Sequence, residues 1–549
     1  MSSKHLASSR PAFDAECFPL NCTAPGVRHA ERGETERIGV QRRRATQQHA
    51  PADMKLRIPQ TRTVRSLASA VGVTIFVYLL ISNLETRLHL GDDGLASHPS
   101  RAGSSPARNP DCPVPALRHL RNLELNLTDT ITYTKRCIKP VVTRSLERDA
   151  VAQIDEPLLK TKTKIDLSSC APVQLERCDP IPLRVPRPYP KSTYPQYVFG
   201  VATSYERYEE SIDTFAFWLA GSHAKLVGVV TDYDDNRSKL EALVARYAER
   251  DVIASFVKPI RSRLSVGQNH FTIIRDLVKA SGPETEWIAI LDDDTFFPSL
   301  HKLTVALSDI DHTQQAYVGA LSEDFRAVRT FGYMAFGGGG VFLSAKLARD
   351  LEPLLETCLN EAKTGEGDAL VRECVYKHTH TKLTPLPGLY QMDMARDATG
   401  FYEGGPSPLS VHHWKSWYFS PVELMATITH VCGDCFLQRW RMGADTVLTN
   451  GYSISVYRDG LDDVDLSRME DTWSNNQPDF YDFSIGPLRK PMKPGQKKTY
   501  KLEDADYLKN GGVRQIYVHR AEKAGQNDEV IELAWEASRP GLLGNIRPE

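Results

Sequence analysis

No charge of either sign dominates this 549-residue chain: 67 Lys and Arg face 69 Asp and Glu, a formal net charge of −2. A strong electrostatic field for nucleic acid or a membrane surface is thereby excluded, and no nucleic-acid partner is expected. No fixed-period repeat is present, so solenoids and propellers are excluded. Long hydrophobic runs are also missing, with one exception. At 41% hydrophobic residues the chain is still too apolar to be wholly disordered or fibrous. Its length suggests about three or four units at roughly 150 residues each.

The charge balance is uneven along the chain. Residues 1–65 hold 12 Lys and Arg against 6 Asp and Glu, with no usable periodicity, and read as a disordered tail. The exceptional hydrophobic run follows: Ser66 to Leu84 (SLASAVGVTIFVYLLISNL) carries no charge. Nineteen residues at 1.5 Å each give about 28 Å, close to the ~30 Å hydrocarbon core. The run is too long for a signal-peptide core, and no cleavage site follows it before Glu85. Lys55, Arg57, Arg62 and Arg65 precede it, and only Arg87 and Arg101 follow within similar reach. That bias predicts a signal anchor with a cytoplasmic N-terminus and everything after residue 85 across the membrane. Its short, modestly apolar span suits an early secretory membrane, in the Golgi or endoplasmic reticulum. Met54 opens a compact basic flank plus anchor and is an alternative start.

A lumenal location permits oxidised cysteines. Eight of the 10 cysteines lie beyond the anchor: Cys112, Cys137, Cys170, Cys178, Cys358, Cys374, Cys432 and Cys435. Four bridges are open to them, with pairing left undetermined. Cys432-Gly-Asp-Cys435 has the spacing of half a zinc site, but no second ligand pair stands at suitable spacing.

Residues 85–194 lack regular pattern and are closed by Pro180, Pro182, Pro186, Pro188 and Pro190. They read as a lumenal stem and an extended approach. Order is expected from residue 195. Tyr197–Thr203, Lys225–Asp232, Val252–Val257 and Trp287–Leu291 are short apolar runs, separated by segments with apolar residues at helical spacing. Such alternation predicts an α/β domain, with a mainly parallel sheet flanked by helices. Ligands of such sheets sit at the carboxyl ends of the strands. Residues 451–457 and 512–537 alternate weakly, so 426–549 reads as a β-rich C-terminal extension.

At the end of the fourth apolar run stands Asp292-Asp293-Asp294-Thr295. Three crowded carboxylates repel one another and raise each other's pKa. A divalent cation removes that cost, and hard oxygen ligands select Mg2+ or Mn2+. Further on come Gly337-Gly-Gly-Gly-Val-Phe-Leu-Ser344, Gly367-Asp368-Ala-Leu-Val-Arg-Glu-Cys374 and Leu409-Ser-Val-His412-His413-Trp414.

These four blocks, in this order, resemble the Fringe-like glycosyltransferases of family 31, above all their plant and fungal branch, formerly a domain of unknown function. The resemblance covers residues ~195–420. It implies a GT-A-like (Rossmann-like) fold over 195–425 and inverting transfer of a hexose or N-acetylhexosamine from a UDP-sugar to a hydroxyl of a glycan or glycoprotein acceptor, commonly as a β-1,3 bond. Carried over by motif, Asp292 and Asp294 hold Mn2+ (or Mg2+) on the UDP diphosphate, and Asp293 faces metal or donor sugar. His412 matches a late metal ligand, and Asp368 matches the general base, with Glu366 as the fallback. Many members carry two adjacent acids where this chain has Asp368 alone. Thr203, Gly338 and Gly339 fall where donor or acceptor approaches, and Cys358 and Cys374 match a pair that braces the base's loop. Trp414 and Trp417 are candidates for sugar stacking or for the core. The alternatives are a non-catalytic lumenal glycan-binding or chaperone protein of the same fold, favoured by the single acid at 368, and a metal-dependent phosphoesterase. Donor sugar, acceptor, linkage and oligomeric state carry no signature.

Overall fold

The computed structural model describes residues 115–538, apart from 122, 170–172, 174, 176–177, 395–396 and 475–481. The expected tail and the anchor at 66–84 lie outside the described residues, as do Cys112 and Cys170. Among the described residues no helix is long and apolar enough to cross a membrane.

The first sheet has seven strands: β1 (Tyr197–Thr203), β2 (Lys225–Val230), β3 (Ile253–Val257), β4 (Trp287–Leu291), β5 (Tyr317–Gly319), β6 (Val341–Ser344) and β7 (Leu383–Pro385). Their order is β7-β5-β6-β4-β1-β2-β3. All pairings are parallel except those of β6, which runs antiparallel to β4 and β5. Every residue of β1 and of β4 is buried. This is the reason those runs are continuously apolar: a parallel strand with both faces covered has no polar side to show. Three helices position the site: α1 (Tyr205–Glu210), α2 (Val266–Thr272) and α3 (Gly367–His378).

A second sheet of ten strands packs on the same hydrophobic core. Its later strands lie within the expected C-terminal extension, from Arg439–Met442 to Asp528–Trp535. Its other strands correct the reading of 85–194 as stem. Thr130–Val142 runs parallel to Asp528–Trp535, Ala152–Ile154 pairs with Arg439–Met442, and Thr163–Asp166 and Pro180–Val185 pair with Thr130–Val142. The strand was hidden because its alternation is broken by cations. Lys135 and Arg136 sit mid-strand and are neutralised by Glu532 at 2.8 Å and Glu156 at 2.6 Å.

Disulfides join Cys137 to Cys178, Cys358 to Cys374 and Cys432 to Cys435. The second ties the helix Leu355–Glu361 to α3, which carries Asp368. The third closes the zinc reading of Cys432 and Cys435, because bridged sulfurs are not thiolates.

Candidate active site

The acidic triplet turns sharply as it leaves β4. Thr295 holds the turn: its backbone N–H donates to the Asp292 carbonyl (3.1 Å), and its hydroxyl accepts from the Asp292 N–H (3.2 Å) and donates to the Gly338 carbonyl (3.1 Å). The turn splits the carboxylates. Asp292 and Asp294 both face His412, whose Nε2 lies 3.4 Å from Asp292 Oδ2 and 2.8 Å from Asp294 Oδ1. The Asp292 side chain is 40% exposed and that of Asp294 only 6%.

Asp293 faces away from that group, contrary to the expectation that it faces metal or donor sugar. Arg207 of α1 donates from Nη2 to Asp293 Oδ1 (2.6 Å) and from Nε to Oδ2. Thr203, at the end of β1, donates its hydroxyl to Asp293 Oδ2 (3.3 Å), and Lys415 Nζ stands 3.7 Å away. Thr203 is therefore committed to Asp293. The physical reason is charge: three anions in one turn are tolerated when the middle one has its own cations.

His412 is fixed by backbone. Val411 pairs with Phe296, just past the triplet, through two main-chain hydrogen bonds of 2.9 and 3.0 Å. The His412 Nδ1 lies 2.9 Å from the Gln391 carbonyl, which can only accept, so Nδ1 carries a proton and Nε2 points at the carboxylates. A carbonyl behind an imidazole is the usual device for orienting a metal-binding histidine. Burial disfavours charge on His412, but Asp292 and Asp294 outweigh it and raise its pKa well above the usual range. Burial likewise opposes ionisation of Asp292 and Asp294, and there the neighbouring imidazoles prevail and lower both pKa values.

One ligand atom each from Asp294, His412 and His413 falls within 4.8 Å of the others. His413 is differently employed, however. Its Nε2 lies 3.1 Å from Asp393 Oδ1, its Nδ1 2.9 Å from the Ser416 hydroxyl, and its ring stacks on Trp417 at 3.8 Å. Ser416 in turn donates to Asp294 Oδ2 (2.9 Å). Trp414 is buried, while Trp417 is half exposed.

The glycine run is a tight turn over Gly337–Gly339 that precedes β6. A Cβ on Gly338 would stand 2.1 Å from His412 Nδ1. The bare backbone expected to admit donor or acceptor is at Gly338 filled by the His412 ring, and Gly339 donates its N–H to Gln391 Oε1 (3.1 Å). Both glycines thus seat the histidine. Gly338→Ala is expected to displace His412 while the protein stays folded, and so to weaken any divalent cation held by that histidine and the aspartates by roughly 10–100-fold. Titration calorimetry with circular dichroism checks this, and unchanged Mn2+ affinity counts against it.

Asp368 lies in the first turn of α3 but does not cap it. Glu366 occupies the cap position, without a side-chain capping bond. Instead Asp368 Oδ2 accepts the Gly337 N–H at 2.7 Å. Its Oδ1 lies 3.0 Å from Nε2 of His270, a residue that sequence reading missed. His270 Nδ1 is 3.6 Å from Asp292 Oδ1, so one ring spans the triplet and Asp368. The only sequence signal was a polar Asn269-His270 pair on the core side of α2, both buried.

His270, Asp292, Glu366 and Asp368 line a cleft of about 330 Å³ that Phe331 and Phe336 also line. A second cleft of about 220 Å³ lies past the ends of β2 and β3, where Asp232, Lys258 and Asn269 meet. Both clefts sit at the carboxyl ends of parallel strands, the usual binding edge of such a sheet.

Residues 205–417 match the family model described as Fringe-like. This part of the chain is a Fringe-like domain. It contains the triplet, the glycine turn, His270, Asp368 and the His412-His413 pair. Residues 328–534 match a second model, described as a protein of unknown function, DUF604. That match overlaps the Fringe-like domain and continues through the second sheet. No curated protein matches the chain. Solved structures with some likeness include the glycosyltransferase GlyE in Streptococcus pneumoniae TIGR4, at 14% identity over 43% of this chain and 59% of that one, with a TM-score of 0.28. Mouse xyloside xylosyltransferase 1 in its apo form shares 12% identity over 35% of this chain and 84% of that one, with a TM-score of 0.25. The 4-diphosphocytidyl-2C-methyl-D-erythritol synthase from Anaerococcus prevotii DSM 20548 shares 14% identity over 35% and 90%, with a TM-score of 0.24. Likeness this slight carries no argument about fold or reaction.

Proposed function

We propose that the protein is an inverting glycosyltransferase that moves a hexose or N-acetylhexosamine from a UDP-sugar to a hydroxyl of a glycan or glycoprotein acceptor, forming a β-1,3 bond. The observation that carries this reading is one edge of one sheet: Asp292, Asp294 and His412 converge there, and Asp368 lines the same cleft as Asp292.

The donor set fits a divalent cation, with two hard carboxylates and an imidazole whose far nitrogen is already held by a carbonyl. Asp292, Asp294 and His412 Nε2 would hold Mn2+ or Mg2+, which when bound supplies positive charge to the departing diphosphate. Arg207 keeps Asp293 out of that set. Asp368 takes the proton of the acceptor hydroxyl as the hydroxyl oxygen bonds to the sugar. Its carboxylate is fixed to Gly337 and faces a cleft with aromatic lining, which suits the apolar face of a pyranose. Residues 66–84 serve in this reading as a type II anchor in the Golgi or endoplasmic reticulum, with the described domain lumenal.

UDP release by the purified protein tests the proposal, with a panel of UDP-hexoses and UDP-N-acetylhexosamines and glycan acceptors. One donor should give acceptor-stimulated release that EDTA abolishes and Mn2+ restores. Failure of every UDP-sugar to bind or turn over would defeat the transferase reading.

A further inference from the structure

We propose that His270 is a positioning residue for Asp368: it fixes the plane of the carboxylate so that one edge meets the acceptor hydroxyl. This rests on the transferase reading and on Asp368 as the base.

The argument begins with the freedom of a carboxylate. Rotation about the last bond of an aspartate is broad and roughly two-fold, so one hydrogen bond leaves its plane free to swing. Asp368 has two points of restraint. Oδ2 accepts the Gly337 N–H at 2.7 Å, and Oδ1 lies 3.0 Å from His270 Nε2. The second contact is oblique, and the buried Nε2 has no in-line partner among the described residues. A neutral ring with its proton on Nε2 can make the contact, as can a charged ring, so no change of charge is invoked.

His270 is itself held with unusual tightness for a residue that lines a cleft. It is 5% exposed. A Cβ on Gly367 would come within 2.7 Å of its Cδ2, and one on Gly337 within 3.0 Å of its Cε1. The ring fills the space that two glycines leave, and these belong to the two segments that also carry and bind Asp368. The helix beneath it is anchored by a capping box between Ser265 and Gln268, in which each side-chain oxygen accepts the other's backbone N–H. Gly267 of that helix packs so closely that a Cβ would lie 2.4 Å from the Gly365 carbonyl. A ring needed only for packing in such a slot would be apolar, since burying an unaligned ring nitrogen costs free energy. Here the nitrogen is turned to the base.

His270→Phe and His270→Gln test the inference in the full chain, with melting temperature as the folding check. Phe should lower kcat for transfer by roughly 10–100-fold, the scale of a small misplacement at a reacting group, with KM for the UDP-sugar and UDP–Mn2+ affinity within about 2-fold. Gln, whose amide N–H can reach the carboxylate, should recover part of the loss. The decisive measurement is the pair with Asp368→Asn. Once the base is gone, His270→Phe should add almost nothing, because a positioning residue acts only through what it positions. An equal loss in both backgrounds, an unchanged kcat in the single variant, or a rise confined to the KM of the UDP-sugar would each overturn the inference. A wild type inert towards every UDP-sugar would defeat the transferase reading along with it, whereas an active wild type with an indifferent His270→Phe defeats the positioning role alone.

Discussion

Asp294→Ala is expected to lower transfer by about 10³-fold and to abolish Mn2+-dependent binding of UDP. The size follows from charge. Stabilising a departing diphosphate through a bound cation is worth several kcal/mol, and each 1.36 kcal/mol is about a tenfold change in rate. Asp294 is nearly sealed from solvent and makes the shortest contact to His412, at 2.8 Å. Its loss removes one oxygen ligand and leaves the buried His412 imidazole facing Asp292 alone. Asp294→Asn keeps the shape and the Ser416 contact but not the charge, and should fail as completely. The neighbour provides the control. Asp293 faces Arg207, so Asp293→Asn should disturb that ion pair and leave Mn2+ affinity within about tenfold. Calorimetric titration of UDP with and without Mn2+ separates the cases. If Asp294→Ala binds Mn2+ and transfers at close to the wild-type rate, the triplet does not hold the cation and the metal reading is finished.

The contrast between those two aspartates marks the limit of what the chain announces in its residues. Strands over 197–291 are most legible where both faces are buried, as in β1 and β4, which are apolar almost throughout. The triplet, Asp368 and His412 are legible as short blocks in a fixed order. Orientation is not. Whether the middle aspartate joins its neighbours depends on where Arg207 and Lys415 stand, more than 80 residues before and after it. The glycine run shows the same limit. It signals close approach, and only the structure shows that at Gly338 the approaching group is His412. His270 left almost no trace, because a single buried histidine on an amphipathic helix is indistinguishable in sequence from a packed one. Thr130–Val142 was lost for the opposite reason: its half-buried ion pairs look like free surface charge until the partners Glu156 and Glu532 are placed beside them.

Asp368→Asn should cut transfer by roughly 10²–10⁴-fold, the usual worth of a positioned general base, while UDP and Mn2+ bind as before. The asparagine oxygen can still accept the Gly337 N–H, so the glycine turn and the seat of His412 stay in place. What disappears is an anionic oxygen able to receive a proton. Asp368 sits in the first turn of a twelve-residue helix, one residue past its glycine start. Its side chain is 22% exposed, open enough to meet a substrate hydroxyl. Glu366 is the competing candidate. It stands at the helix cap, lines the same cleft and is exposed. Glu366→Gln should therefore leave kcat within a few-fold of wild type if Asp368 is the base, and should be the crippling variant if it is not. Acceptor-dependent kcat for the two variants, measured with UDP affinity on the same preparations, assigns the proton to one carboxylate. An active Asp368→Asn with intact UDP binding would remove the base assignment while leaving the metal-binding half of the site untouched.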